Sequence, residues 1–161
     1  MIGFDADHCI VKYNVRELMV HVSTIQGADM HSRGGYPSQI QDFDLEDLSM
    51  CLNNVVWDIQ RGNLLKLGEG KAVTRAYHGR NLLSSQKVNE IYGSPPIFSA
   101  LDYPTTVRSM EKSEDAYWVL LTYFDCCKIP LICQGIDLID AGIAKVSYFQ
   151  FSLDFLSSVL R

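Results

Sequence analysis

No cluster of lysine and arginine stands anywhere in these 161 residues. Fourteen basic side chains are scattered among nineteen acidic ones, for a formal net charge of -5. That excludes the electrostatic footprint of a protein built to hold a nucleic-acid polymer. No apolar run approaches the ~18 residues a membrane-spanning helix needs, so no membrane segment is expected. The N-terminus lacks a basic region ahead of an apolar stretch and carries Asp5 and Asp7 at once, so no secretory signal is read. The five cysteines, Cys9, Cys51, Cys126, Cys127 and Cys133, contain no CxxC pair. Their odd number and irregular spacing argue against a structural zinc site and fit buried thiols in a reducing cytoplasm. Internal repeats and low-complexity tracts are absent too.

What is present is apolar mass. Hydrophobic residues make up 47% of the chain, enough for a core in one domain or in part of a larger one. Residues 1–13 read as a strand and a loop. Residues 14–27 read as a helix with Leu18, Val22 and Ile25 at core spacing, Asn14 as N-cap with Glu17 three residues on, and Gly27 as the stop. His21 has no second ligand at helical spacing and reads as a surface or partly packed residue. Residues 28–43 form a loop, and 44–54 a short helix with Leu45, Leu48 and Leu52 on one face.

Residues 55–79 change character. Arg61-Gly62-Asn63 and Gly68-Glu69-Gly70 separate three short β-like runs, a meander. Ser84 opens a helix that Gly93 closes. The last third reads as helical over 113–128 (Tyr117, Leu120, Leu121, Phe124), over 130–141 from Pro130, and over 147–160. This order supplies one candidate parallel strand. A parallel strand needs partners on both sides of it and cover on both faces, so further strands are expected downstream, with a few residues more upstream.

The stretch "GFDADHCIVKYN" puts Asp5 and Asp7 on one face at the end of an apolar strand. In an open α/β sheet, ligands bind at that strand end. Two carboxylates there repel unless a cation neutralises them, and Mg²⁺ prefers such oxygen ligands. One carboxylate can then attack phosphorus while the other protonates the leaving oxygen. A D-x-D triplet also occurs in surface loops with no chemistry, and the spacing alone leaves both readings open.

The same stretch resembles motif I of the haloacid dehalogenase-like (HAD-like) phosphohydrolases. Its FD-x-D-H form followed by an apolar residue and Tyr13 is similar to the cytosolic purine 5'-nucleotidase family. The segment "VVWDIQRGNLLKLGEGKAVTRAYHG" supports this, because Asp58, Gly62, Asn63, Leu64, Lys66, His78 and Gly79 occupy matching positions. "YFDCCKIPLICQGIDLID" is a weaker third match. His8, Tyr13-Asn14 and Phe124-Asp125 lean toward one subgroup of that family.

The resemblance implies an α/β fold with a HAD-like, Rossmann-type core that is incomplete here. Residues 1–27 would be the first core strand and helix, and 28–161 a mixed cap region of β-meander and helices. It implies Asp5 as the nucleophile forming an aspartyl-phosphate and Asp7 as general acid and base. Mg²⁺ would be held by the Asp5 carboxylate and the Asp7 main-chain carbonyl. The substrate would be a nucleoside monophosphate or another phosphomonoester, in the cytoplasm.

Two positions depart from the family pattern. Cys9 stands where threonine is usual, and a thiol is the poorer hydrogen-bond donor. Leu121 stands where an effector-binding asparagine is expected. The family's motif II Ser/Thr, phosphate-binding lysine and later aspartates fall past residue 161, so this chain alone is expected to be inactive. At Asp58–Gly79 the structural reading is that the glycines make tight turns, Asp58 and Lys66 pair, and His78 packs or caps; a catalytic His78 is the alternative. Two other functions compete. One is a non-catalytic short form, a protein-interaction module using the apolar helix "YFQFSLDFLSSVL", with association between copies. The other is a cysteine-based metal or redox protein.

Overall fold

The computed structural model describes residues 14–43, 55–101, 108–110 and 115–159. Asp5, Asp7, Cys9 and Cys51 lie outside these residues, as do the expected first strand and the helix expected over 44–54.

Helix α1 (Val15–Ser32) starts as the sequence predicts, with the Asn14 side chain accepting from the Glu17 amide at 3.4 Å. It does not stop at Gly27. The buried stripe is Met19, Ser23, Gln26, Gly27 and Met30, one residue round from the expected one, and Ile25 is 59% exposed. The polar members of that stripe are satisfied internally. Ser23 Oγ donates to the Cys127 carbonyl at 3.3 Å, and Gln26 Nε2 donates to the Phe155 carbonyl at 3.3 Å and to Ser158 Oγ at 3.1 Å. Hydrogen bonding removes most of the cost of burying such groups, so a polar and small-residue face goes inward. A short 3-10 helix, Ser38–Gln41, follows.

Strands β1 (Val55–Asp58), β2 (Asn63–Leu67) and β3 (Val73–His78) form the expected meander, and β4 (Asn81–Leu82) extends it. Helix α2 (Ser85–Tyr92) is capped by Ser84, whose hydroxyl accepts from the Lys87 amide, and ends at Gly93. Strand β5 (Arg108–Ser109) and strand β6 (Tyr117–Leu120) complete a sheet of order β4-β3-β2-β1-β6-β5, antiparallel at every pairing.

Strand β6 corrects the helix expected over 113–128. Tyr117, Trp118, Val119 and Leu120 are all buried, because β6 lies between β1 and β5 with a packed layer on each side. A strand covered on both faces reads as an unbroken apolar run, which period alone cannot tell from a helix. Only α3 (Tyr123–Cys126) is helical there. Helices α4 (Ile129–Asp140) and α5 (Tyr148–Val159) stand where the sequence places them.

Register divides the sheet into two packed faces. Trp57 pairs with Leu64 and Trp118, and Leu64 with Tyr77. This face buries Met19, Met30, Ile132, Ile136, Phe151 and Phe155 from α1, α4 and α5. Val56 pairs with Leu65 and Val119, and this second face takes Val88, Phe98 and Leu101. The terminal helix α5 therefore puts Phe151 and Phe155 into the core, both fully buried, rather than leaving its main apolar face open.

Candidate functional site

The matched segment Asp58–Gly79 folds into one polar row across the end of the sheet. Asp58 faces Asn63 across β1 and β2, and Asn63 faces His78 across β2 and β3. Asp58 and Asn63 are buried, at 1% and 2% exposure. Two turns bring the row together. Gly62 (φ +64) and Gly79 (φ +54) occupy the left-handed region that glycine enters without strain. They also leave space: a Cβ on Gly62 would lie 3.1 Å from the Tyr148 ring, and one on Gly79 would lie 1.9 Å from Asp137 Oδ1.

The side chains of the row are continuous. Arg61 Nη1 donates to Asp58 Oδ2 at 3.1 Å, and Tyr92 Oη donates to the same oxygen at 2.8 Å. Asn63 Nδ2 donates to Tyr92 Oη at 2.8 Å. His78 Nδ1 lies 2.8 Å from Asn63 Oδ1, and His78 Nε2 lies 2.8 Å from Asp140 Oδ2. Tyr148 Oη donates to Asp140 Oδ1, and its ring meets the His78 ring edge-on at 5.9 Å. Beside them, Arg80 Nε donates to Asp137 Oδ2 at 2.7 Å.

Burial sets the electrostatics. It raises the Asp58 carboxyl above its ordinary value, against the lowering effect of Tyr92 and Arg61. Burial also raises the Tyr92 hydroxyl, with the Asp58 charge adding to it, and raises that of Tyr148, with the bond to Asp140 adding to it. Neither hydroxyl is a source of phenolate. His78 has both ring nitrogens engaged, so no lone pair faces an open cleft. The row is an internal brace, and its geometry favours the structural reading of Asp58–Gly79. Asp58 takes Arg61 as its ion partner; Lys66 stands elsewhere, on β2 across from Val55 and Arg75.

Leu121, at the position where the family's asparagine was expected, lines a cavity of about 270 Å³ with Val56, Leu67, Gly68, Lys71, Leu101 and Val119. That lining offers a polar effector little besides Lys71, whose ammonium donates to the Leu101 carbonyl. The described cysteines Cys126, Cys127 and Cys133 are buried. Burial first, then Cys126, pushes the Cys127 thiol up to about 11, away from the reactive thiolate. Among the described residues no group of three His, Cys, Asp or Glu side chains can hold a metal ion, and no helix is long and apolar enough to cross a membrane.

A family model described as "5' nucleotidase family" matches residues 1–159. This chain belongs to the 5'-nucleotidase family. Human 5'-nucleotidase domain-containing protein 1 is 29% identical over 160 residues, covering 99% of this chain and 33% of the relative. The bovine protein of the same name is 29% identical over 93 residues, covering 58% of this chain and 21% of the relative. The chain thus spans about a third of the human relative's length. The subgroup indicated by His8, Tyr13-Asn14 and Phe124-Asp125 is the one these two relatives represent.

For a 5'-nucleotidase family chain, the polar row explains what the GN and HG dipeptides are for. Sequence reasoning found Asp58, Asn63 and His78 but missed Tyr92, Asp140 and Tyr148. No local signal marks those three. They join the row because α2, α4 and α5 pack against the same sheet end, a relationship between residues 29 to 70 positions apart.

Proposed function

We propose that these residues belong to an Mg²⁺-dependent phosphohydrolase of 5'-nucleotidase type, with Asp5 as nucleophile and Asp7 as general acid and base. The observation that carries the reading is the Asp5-x-Asp7 pair closing an apolar run, inside a chain the family model matches from residue 1. The relatives' names support phosphomonoesters, nucleoside monophosphates first, as the substrate class. A HAD-like core strand over residues 1–13, with the described sheet and helices as cap and core segments, is part of the same proposal, as is a cytoplasmic location.

The chemistry follows from the two carboxyls. The Asp5 carboxylate attacks phosphorus, and Asp7 protonates the leaving nucleoside oxygen. Water deprotonated by Asp7 then opens the aspartyl-phosphate. The donor set is made of hard oxygens, which suits Mg²⁺ held by the Asp5 carboxylate and the Asp7 carbonyl. When bound, the ion offsets the repulsion between Asp5 and the phosphoryl group.

By the resemblance, the family's phosphate-binding lysine and later aspartates belong to the part of the relatives that this chain does not span. Each missing electrostatic element costs about 2.7–4 kcal/mol of barrier stabilisation, so this chain alone runs near background. The test is phosphate release from nucleoside monophosphates with Mg²⁺, by a polypeptide of the relatives' length that carries these residues. Asp5→Asn is expected to abolish release. Equal rates for native and Asp5→Asn would remove Asp5 from the mechanism.

A second reading, a protein-interaction module, has one observation in its favour. Ile25, Val22 and Val159 line an open groove of about 390 Å³ between α1 and α5, rimmed by Asp29, Arg33 and Lys128. Sedimentation velocity of native and Ile25→Glu chains tests it; a native monomer at all concentrations counts against it.

A further inference from the structure

The cavity on the second face of the sheet carries an inference that does not pass through Asp5 or Asp7. Most of its lining is aliphatic: Val56 from β1, Leu67 from β2, Val119 from β6, Leu121 just past β6, and Leu101. The turn between β2 and β3 adds the one charged side chain, Lys71.

Lys71 sets this cavity apart from an ordinary packing gap. Gly70 and Lys71 follow each other in the left-handed region, at φ +64 and +65, and the Ala72 amide closes the turn on the Glu69 carbonyl at 3.2 Å. A turn of this kind favours Gly or Asn at both central positions. Lysine is strained there, and Lys71 is the one non-glycine residue with a positive φ among the described residues. Its ammonium donates to the carbonyl of Leu101, which lines the same cavity. That bond uses one of three N–H groups. Among the described residues no carboxylate pairs with Lys71. One cation without an ion partner thus stands against aliphatic side chains.

This composition selects a ligand chemistry. A purine nucleotide does not suit it, because the ring nitrogens and exocyclic groups of the base would be buried against aliphatic side chains without partners, which is costly. A neutral apolar molecule would leave the ammonium uncompensated. At about 270 Å³ the cavity falls just below the range of about 300–1,000 Å³ typical of pockets for drug-sized ligands. We propose that it is a binding site for a small monocarboxylate with an aliphatic tail. The tail packs on Val56, Leu67, Val119 and Leu121, and the carboxylate accepts a charge-assisted hydrogen bond from Lys71. The strained turn is what holds the ammonium beside Leu101.

Octanoate is the probe and octanol its neutral control, in calorimetric titrations of the native chain, Lys71→Gln and Leu121→Trp. The native chain is expected to bind one octanoate, about ten- to a hundredfold more tightly than octanol, because only the acid makes the charge-assisted bond. Lys71→Gln is expected to remove that preference by weakening octanoate and leaving octanol unchanged. A lysine that only anchors the Leu101 carbonyl would move both ligands together. Leu121→Trp places a larger, partly exposed side chain in the cavity and is expected to weaken both. No saturable octanoate binding by the native chain, equal affinity of the native chain for octanoate and octanol, or a preference that survives Lys71→Gln would each overturn the site. If Lys71→Gln does not fold, the native chain's preference between the two probes decides the question by itself.

Discussion

Gly135 of α4 lies against the ring of Phe151 of α5 with no room for a methyl group between them. An added Cβ would stand 2.0 Å from Phe151 Cζ and 2.4 Å from Cε2. Phe151 cannot retreat, because its ring also meets Tyr36, Trp57 and Phe155 at 5.8–5.9 Å. Gly135→Ala is therefore expected to destabilise the chain by about 1–3 kcal/mol or more, despite the better helix propensity of alanine. Urea denaturation measures it.

Gly27 makes the opposite prediction. It too is a buried helical glycine, but its added Cβ would meet Leu131 Cδ1 at 3.4 Å and Gln41 Cγ at 3.5 Å, ordinary contact distances. Gly27→Ala is expected to stabilise α1 by about 0.5–1 kcal/mol, through the lower entropy of the unfolded chain. The same urea titration that penalises Gly135→Ala should reward it.

The inward face of α1 is tested by a pair of substitutions. Met19 is 1% exposed and Ile25 59%. Met19→Ala is expected to cost about 2–5 kcal/mol and Ile25→Gln less than about 0.5 kcal/mol in this chain. Thermal melts of the two variants would reverse in order if Leu18, Val22 and Ile25 made the core stripe.

Asp58 carries a pH prediction with an unusual sign. Burial raises its carboxyl in the folded state, so between the unfolded value and the folded one the native state binds more protons than the unfolded state. Stability from this group is therefore greatest at acid pH and falls as pH rises through the range just above 3.8, opposite to a carboxylate whose ion pair outweighs its burial. The stability difference between native and Asp58→Asn chains, followed by urea titration across the acid range, is expected to shift toward the variant as pH increases. A shift the other way would mean that Arg61 and Tyr92 outweigh burial.

Local signals carried much of this fold into view. Asn14 and Glu17 marked where α1 starts, Ser84 and Gly93 bracketed α2, and the two glycine turns marked the meander. What stayed hidden depended on contacts distant in sequence. Tyr117-Trp118-Val119-Leu120 reads equally as helix or strand, and only its pairing with β1 makes it a strand. The stripe of α1 turned by one residue because Cys127 and Phe155 offer carbonyls to Ser23 and Gln26, which no pattern of apolar residues reveals. The polar row was half legible: Asp58, Asn63 and His78 stood out as a spaced pattern, while Asp140 and Tyr148 looked like ordinary helix-end residues. Asp5 and Asp7 lie outside the described residues, so the reading of that pair rests on sequence and kinship.

The central claim is that Asp5 takes the phosphoryl group. Acid quench during turnover of a nucleoside monophosphate with Mg²⁺, followed by mass spectrometry of the N-terminal peptide, tests it most directly. A phosphoryl adduct on Asp5 that is absent from the Asp5→Asn protein is the predicted result. Sustained turnover with the adduct on another residue, or with undiminished rate after Asp5→Asn, would contradict it.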